Sequence, residues 1–154
     1  MSRYNLSRLS VLVVEDNKYM RKIVHTILEA MGITDVNTVD NPIDAIERIR
    51  DYRPDIMITD WMMEPINGIE LVRAIRDEEK SPDPFLPIIL LTGHAEKDLV
   101  LQARDVGVHE VLTKPISIGA LYKRIVTLVE HPRPFVRRPD YFGPEPRQKP
   151  RPAA

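Results

Sequence analysis

Five short apolar runs alternate along the chain with longer segments in which apolar residues recur every three or four positions. The runs cover residues 9–14, 36–39, 56–59, 87–91 and 108–112, and are strand-length and rich in β-branched side chains, as strands buried on both faces should be. The first intervening segment carries Met20, Ile23, Val24, Ile27, Leu28 and Met31 on one helical stripe, with Gly32 as a stop. Asn41-Pro42 reads as a cap and first turn, opening a helix whose inner face is Ile43, Ile46 and Ile49. Further helices are predicted over 68–78, 95–106 and 118–130. The second has Leu99, Val100 and Ala103 facing inward, and the third Ile118, Leu121, Ile125 and Leu128.

Five strand-helix repeats predict a doubly wound α/β fold, with a five-stranded parallel sheet and helices on both faces. The expected topology is flavodoxin-like, (βα)5 with strand order 2-1-3-4-5. In such a sheet ligands bind at the carboxyl ends of the strands, near the point where the strand order reverses. The residues expected there are Glu15 and Asp16 after the first strand, Asp60 after the third, Thr92 after the fourth and Lys114 after the fifth.

Composition narrows the chemistry. The chain has 154 residues, 43% hydrophobic and 29% charged, the balance of one soluble globular unit. No apolar stretch is long enough to span a bilayer and no secretory signal is evident, so a cytoplasmic protein is expected. Cysteine is absent, which excludes disulfides, thiolate metal sites and a cysteine nucleophile. Three converging carboxylates repel one another unless a cation intervenes, and an all-oxygen donor set suits hard Mg²⁺. A carboxylate such as Asp60 can attack phosphorus to give an aspartyl phosphate. The ammonium of Lys114 would add a point charge, and the Thr92 hydroxyl could donate to a phosphoryl oxygen. Glu15-Asp16 alone would serve equally as a helix-capping acidic pair, and Lys114 as a surface lysine before a turn. Their joint placement favours the site.

The motifs Val-Val-Glu15-Asp16-Asn17, Ile-Thr-Asp60-Trp61-Met62-Met63, Asn67-Gly68, Leu-Thr92-Gly93 and Lys114-Pro115 together resemble the receiver domain of two-component response regulators, over about residues 8–130. The resemblance implies that Asp60 is the phosphoacceptor, with Thr92 and Lys114 on the phosphoryl group. It implies that Glu15, Asp16, Asp60 and the backbone carbonyl of Met62 bind Mg²⁺, and that Lys114-Pro115 is a cis peptide. It places Met62 and His94 beside the phosphoryl group. The implied activity is that of a single-domain, chemotaxis-regulator-like signalling protein. It would catalyse only its own phosphorylation and dephosphorylation, take the phosphoryl group from a histidine kinase or phosphotransfer protein and act by binding a downstream protein, with no DNA-binding domain. Two positions depart from the family pattern. Met63-Glu64-Pro65 shifts the usual proline by one place, and Val111 stands where an aromatic residue often relays the switch. A haloacid-dehalogenase-like phosphatase also forms an aspartyl phosphate, but it needs an aspartate two residues on, where this chain has Met62. Trp61 is expected in a surface loop, and His25, His109 and His131 form no ligand-like spacing.

Seven of the fourteen prolines fall after residue 131. The tail, residues 131–154, is therefore expected to be mostly extended or disordered. It is basic, with Arg133, Arg137, Arg138, Arg147, Lys149 and Arg151 against Asp140 and Glu145. Phe135, Tyr141 and Phe142 are interleaved with the arginines, and the plainest reading is a spacer whose aromatics fold back on the domain. Arg137 and Asp140 form an Arg-x-x-Asp pattern similar to one used in cyclic dinucleotide sites. The alternative function is thus a cyclic di-GMP or protein-binding module acting through the tail.

Overall fold

Four of the five α-helices start where a short polar side chain satisfies a free backbone N–H. Asn17, Asn41 and Ser117 accept from Met20, Asp44 and Ala120, capping α1 (Lys18–Ala30), α2 (Pro42–Tyr52) and α5 (Ile118–Glu130). Asn67 and Glu70 form a reciprocal capping box on α3 (Gly68–Arg76). α4 spans Lys97–Val106. Gly32 and Gly107, at φ +89° and +102°, follow the ends of α1 and α4 in the left-handed region that glycine enters without strain. The computed structural model describes residues 6–93 and 97–146, so His94, Ala95 and the basic residues Arg147, Lys149 and Arg151 lie outside the described residues.

The strands are β1 (Ser10–Val14), β2 (Asp35–Val39), β3 (Ile56–Asp60), β4 (Ile88–Thr92) and β5 (Glu110–Thr113). They form one parallel sheet in the order β2-β1-β3-β4-β5, as the alternation predicts. Every residue of β1, β3 and β4 is buried, and alternate side chains feed two cores. Leu12, Val14, Met57, Ile88 and Leu90 meet α2, α3 and α4, while Val11, Val13, Ile58, Ile89 and Leu91 meet α1 and α5. Burying each such side chain contributes roughly 1.5–3 kcal/mol. Four residues expected inside are instead exposed: Ile23, Ile43, Val100 and Ile118. All four lie in the first two turns of their helices.

The tail, residues 131–154, is expected to be mostly extended or disordered; within its described part, which ends at residue 146, β6 (Phe135–Arg138) and β7 (Tyr141–Pro144) pair as an antiparallel hairpin. Its prolines obstruct nothing. Pro134 precedes β6, Pro139 sits in the two-residue turn and Pro144 ends β7, positions where no ladder N–H is needed. The aromatics do fold back. Phe135 and Phe142 pack edge-on against Phe85 at centroid distances of 5.1 and 5.5 Å.

Beneath the hairpin lie buried polar groups. Arg76 donates to the carbonyls of Gly107 (2.9 Å) and Pro84 (2.8 Å) and stacks 5.0 Å from the Phe135 ring centre. His109 Nδ1 accepts from the Ile88 N–H at 3.2 Å and faces Arg76 at 3.3 Å, so the ring is neutral with its proton on Nε2. Burial, then the charges of Arg76 and Arg133, push its pKa down to about 2. Below pH 6.5 the unfolded chain therefore binds a proton that the folded chain refuses. Stability from this residue is complete above pH 6.5 and is lost between 6.5 and 2, at up to about 1.4 kcal/mol per pH unit. Urea titrations at pH 7.5, 6 and 5 are expected to show that slope in the native chain and a shallower one in His109→Gln. Equal slopes would remove His109 as the cause.

Candidate functional site

β1 and β3 lie side by side with Val14 opposite Thr59, so the residues that follow, Glu15-Asp16 and Asp60, reach the same crevice. Carboxylate oxygens of Glu15, Asp16 and Asp60 lie within 4.8 Å of one another. Glu15 and Asp60 are buried and Asp16 is exposed, giving the group one open side. Thr92 ends β4, and the backbone N–H of Lys114 donates to its carbonyl at 2.8 Å. That bond brings Lys114 over the crevice, where Nζ stands 2.9 Å from Asp60 Oδ1 and 3.6 Å from Glu15 Oε1. Four of the side chains expected at the strand ends, those of Glu15, Asp16, Asp60 and Lys114, thus come together, and Thr92 adjoins them through its backbone.

The backbone around the acids is held closely. Asp60 Oδ1 also accepts from the Trp61 N–H at 2.9 Å, and Glu15 Oε2 from the Asn17 N–H at 3.1 Å. Arg21, one turn into α1, donates to the Glu15 carbonyl at 2.9 Å. Sequence reasoning did not single out Arg21, although its place six residues after Glu15 on the capped helix puts it within reach. Glu15 Oε1 is buried and has no hydrogen-bond partner among the described residues.

Burial raises the Glu15 carboxyl to about 7. The Asn17 N–H opposes this, the Asp60 charge adds to it, and the Lys114 charge opposes it. Three acids sharing one ammonium leave net negative charge in a poorly hydrated space. The donor set is all oxygen, one carboxylate oxygen is orphaned, and one side is open. These residues fit a hard divalent cation that keeps part of its water shell.

Other expectations fare unevenly. Lys114-Pro115 is cis, as the resemblance implies, and Glu64-Pro65 is cis as well. Met62 is an exposed residue of the loop between β3 and α3, two residues after Asp60. Trp61 was expected on the surface but is buried among Met63, Ile69 and Val72. Its backbone is held on both sides: the N–H donates to the Leu91 carbonyl on β4 and the carbonyl accepts from Gly68 at 2.7 Å, which turns the indole under α3. Val111 is partly buried, pairs with Leu90 and packs on the core. In the tail, Arg137 binds Glu78 at 2.7 Å and lies over Phe142.

Comparison with known proteins agrees with this geometry. Residues 11–126 match the family model of the response regulator receiver domain. The chemotaxis protein CheY of Pseudomonas aeruginosa is 30% identical over 122 residues, covering 79% of this chain and 97% of that protein. The solved structure of the chemotaxis response regulator CheY4 of Vibrio cholerae is 28% identical with a TM-score of 0.69, covering 76% of this chain and 95% of that one. The receiver domain of the Pseudomonas aeruginosa sensor histidine kinase PA1611, solved with a magnesium ion in its active-site cleft, is 27% identical. Its TM-score is 0.66, covering 77% of this chain and 94% of that one.

Proposed function

The chain belongs to the response regulator receiver domain family, and from that premise we propose that Asp60 accepts a phosphoryl group from a phosphohistidine of a histidine kinase or phosphotransfer protein. One observation carries the reading: the 2.9 Å pair of Lys114 Nζ with Asp60 Oδ1, set inside a group of three carboxylates. An ammonium this close fixes the direction of the carboxylate, and a nucleophile must be aimed.

In the step itself an Asp60 oxygen bonds to phosphorus as the P–N bond to the donor imidazole breaks, and the imidazole leaves with the electron pair. Lys114 then exchanges its carboxylate partner for a phosphoryl oxygen, and the Thr92 hydroxyl donates to another. Glu15, Asp16, Asp60 and the Met62 carbonyl would hold Mg²⁺, which neutralises charge on the phosphoryl oxygens when bound. With no carboxylate at position 62, no group of this chain is placed there to act as the acid and base of a phosphatase cycle.

A protein donor suits the rim of the pocket. Helices α1, α2 and α5 start at the carboxyl edge of the sheet, and Tyr19, Ile23, Ile43 and Ile118 in their opening turns are exposed, as is Met62 in the adjoining loop. Apolar side chains ringing a charged pocket favour docking of an apolar helix face over free capture of a small ion. The response would pass to a downstream protein by binding. Among the described residues no helix is long and apolar enough to cross a membrane, and action in the cytoplasm is proposed with the rest.

Incubation with acetyl phosphate and Mg²⁺ is expected to add one phosphoryl group by intact mass in the native chain and none in Asp60→Asn. A gain that survives Asp60→Asn, or no gain in the native chain, overturns the reading.

A further inference from the structure

Helix α4 is packed unequally along its length. Lys97, Asp98 and Val100 in its first half are exposed, whereas Ala103 and the four residues after the helix, 107–110, are buried. The buried end is gripped from three directions. Arg76 of α3 donates to the Gly107 carbonyl at 2.9 Å. The hairpin backbone lies directly on the turn, since a Cβ built on Gly143 would stand 3.0 Å from Gly107 Cα, and one on Gly107 would stand 3.2 Å from the Phe142 carbonyl oxygen. Arg133, leading into the hairpin, donates to the His109 carbonyl and faces the buried Glu110 at 3.6 Å. The hairpin also reaches Arg76 at the end of α3 through Phe135, and Glu78 just beyond that helix through Arg137. It lies beyond the family match, which ends at residue 126.

We propose that the C-terminal hairpin is a clamp that fixes the end of α4 and the start of β5, so that a change at Thr92 is confined to the first half of α4, residues 97–101. The inference rests on the reading of Asp60 as acceptor, because Thr92 is the link between the pocket and α4. The physical argument is one of unequal local stability. A helix end with few buried contacts opens at low cost, while an end bonded to three other elements opens only with them. With Val111 in place of an aromatic relay, a clamped and loosely started helix supplies the two-state element that signalling requires.

Hydrogen exchange by mass spectrometry on the full chain, with Mg²⁺ and with or without acetyl phosphate, tests this alongside Phe135→Ala and the milder Phe135→Leu. In the unmodified native chain, amides of residues 103–110 are expected to exchange roughly tenfold or more slowly than those of 97–101. That contrast should vanish in Phe135→Ala and shrink in Phe135→Leu, which carries the test if the alanine variant does not fold. Upon phosphorylation the native chain should change within 97–101 only, and the variants across 97–110. Equal protection of both halves in the native chain, or an unaltered contrast in a folded variant, overturns the clamp. A change on phosphorylation spread evenly over the native α4 and hairpin does so too. Absence of a phosphoryl mass gain refutes the acceptor reading separately, while the unmodified comparison still decides the clamp.

Discussion

Gly68→Ala is expected to cost close to 3 kcal/mol of stability and to slow phosphorylation of Asp60 by about 100-fold. A Cβ at this position would lie 2.3 Å from the Asp60 carbonyl oxygen, 3.1 Å from Trp61 Cα and 3.1 Å from Leu90 Cδ1. Two of these neighbours are backbone, and that backbone is tied down by the Gly68 N–H bond to the Trp61 carbonyl and the Trp61 N–H bond to Leu91. Relief therefore requires either the start of α3 or the end of β3 to move, and the end of β3 carries the acceptor. Gly119→Ala is the internal comparison. Nothing lies within 4 Å of a Cβ there, and in the first turn of α5 alanine should stabilise by up to about 1 kcal/mol. Urea denaturation and the rate of mass gain with acetyl phosphate read both effects. A Gly68→Ala protein as stable and as reactive as the native chain would show that the close approach at Asp60 is not needed.

Removing the ammonium of Lys114 is expected to move two observables in opposite directions. Lys114→Ala should lower the rate of phosphorylation from acetyl phosphate by about 10²–10³, the usual loss when one preorganised charge on the transferring group is deleted. The same change takes away the cation that now occupies Asp60 Oδ1 at 2.9 Å and faces Glu15 at 3.6 Å. Mg²⁺ should then bind several-fold more tightly, because the three acids have lost the ammonium that competes with it. Trp61, buried beside Asp60, gives a fluorescence readout of that titration. Lys114→Arg is expected to restore little of the rate, because a planar fork cannot replace a compact point charge in this space. Parallel losses of Mg²⁺ affinity and rate would mean instead that Lys114 holds the pocket together rather than acting on the phosphoryl group.

The pocket was legible before the fold because its parts obey a positional rule. In a parallel α/β sheet the residues just past each strand converge, so reading the strand ends was enough to gather Glu15, Asp16, Asp60 and Lys114. Arg21 escaped because its contact is made by a long side chain to a backbone carbonyl, and no residue pattern marks a carbonyl that needs a donor. The stripe on α1 was read correctly for Val24, Ile27 and Leu28 and wrongly for Ile23. Periodicity gives the face of a helix, but not how far that face extends past the sheet it covers.

The alternation of apolar runs with helical stripes, the caps at Asn17, Asn41, Asn67 and Ser117, and the chemistry at the strand ends are local properties. The sequence alone therefore determined the topology and the place of the pocket. What only tertiary structure decided are features whose partners lie far along the chain. The hairpin of Phe135–Arg138 and Tyr141–Pro144 forms in a segment dense with proline because Phe85, Arg76 and Gly107 offer it a surface. Trp61 turns inward because Gly68 and Leu91 take its backbone. His109 is held neutral because the fold buries it and sets the charges of Arg76 and Arg133 beside it. Each of these outcomes depends on residues brought together from distant parts of the chain, and such meetings leave no period or motif to read.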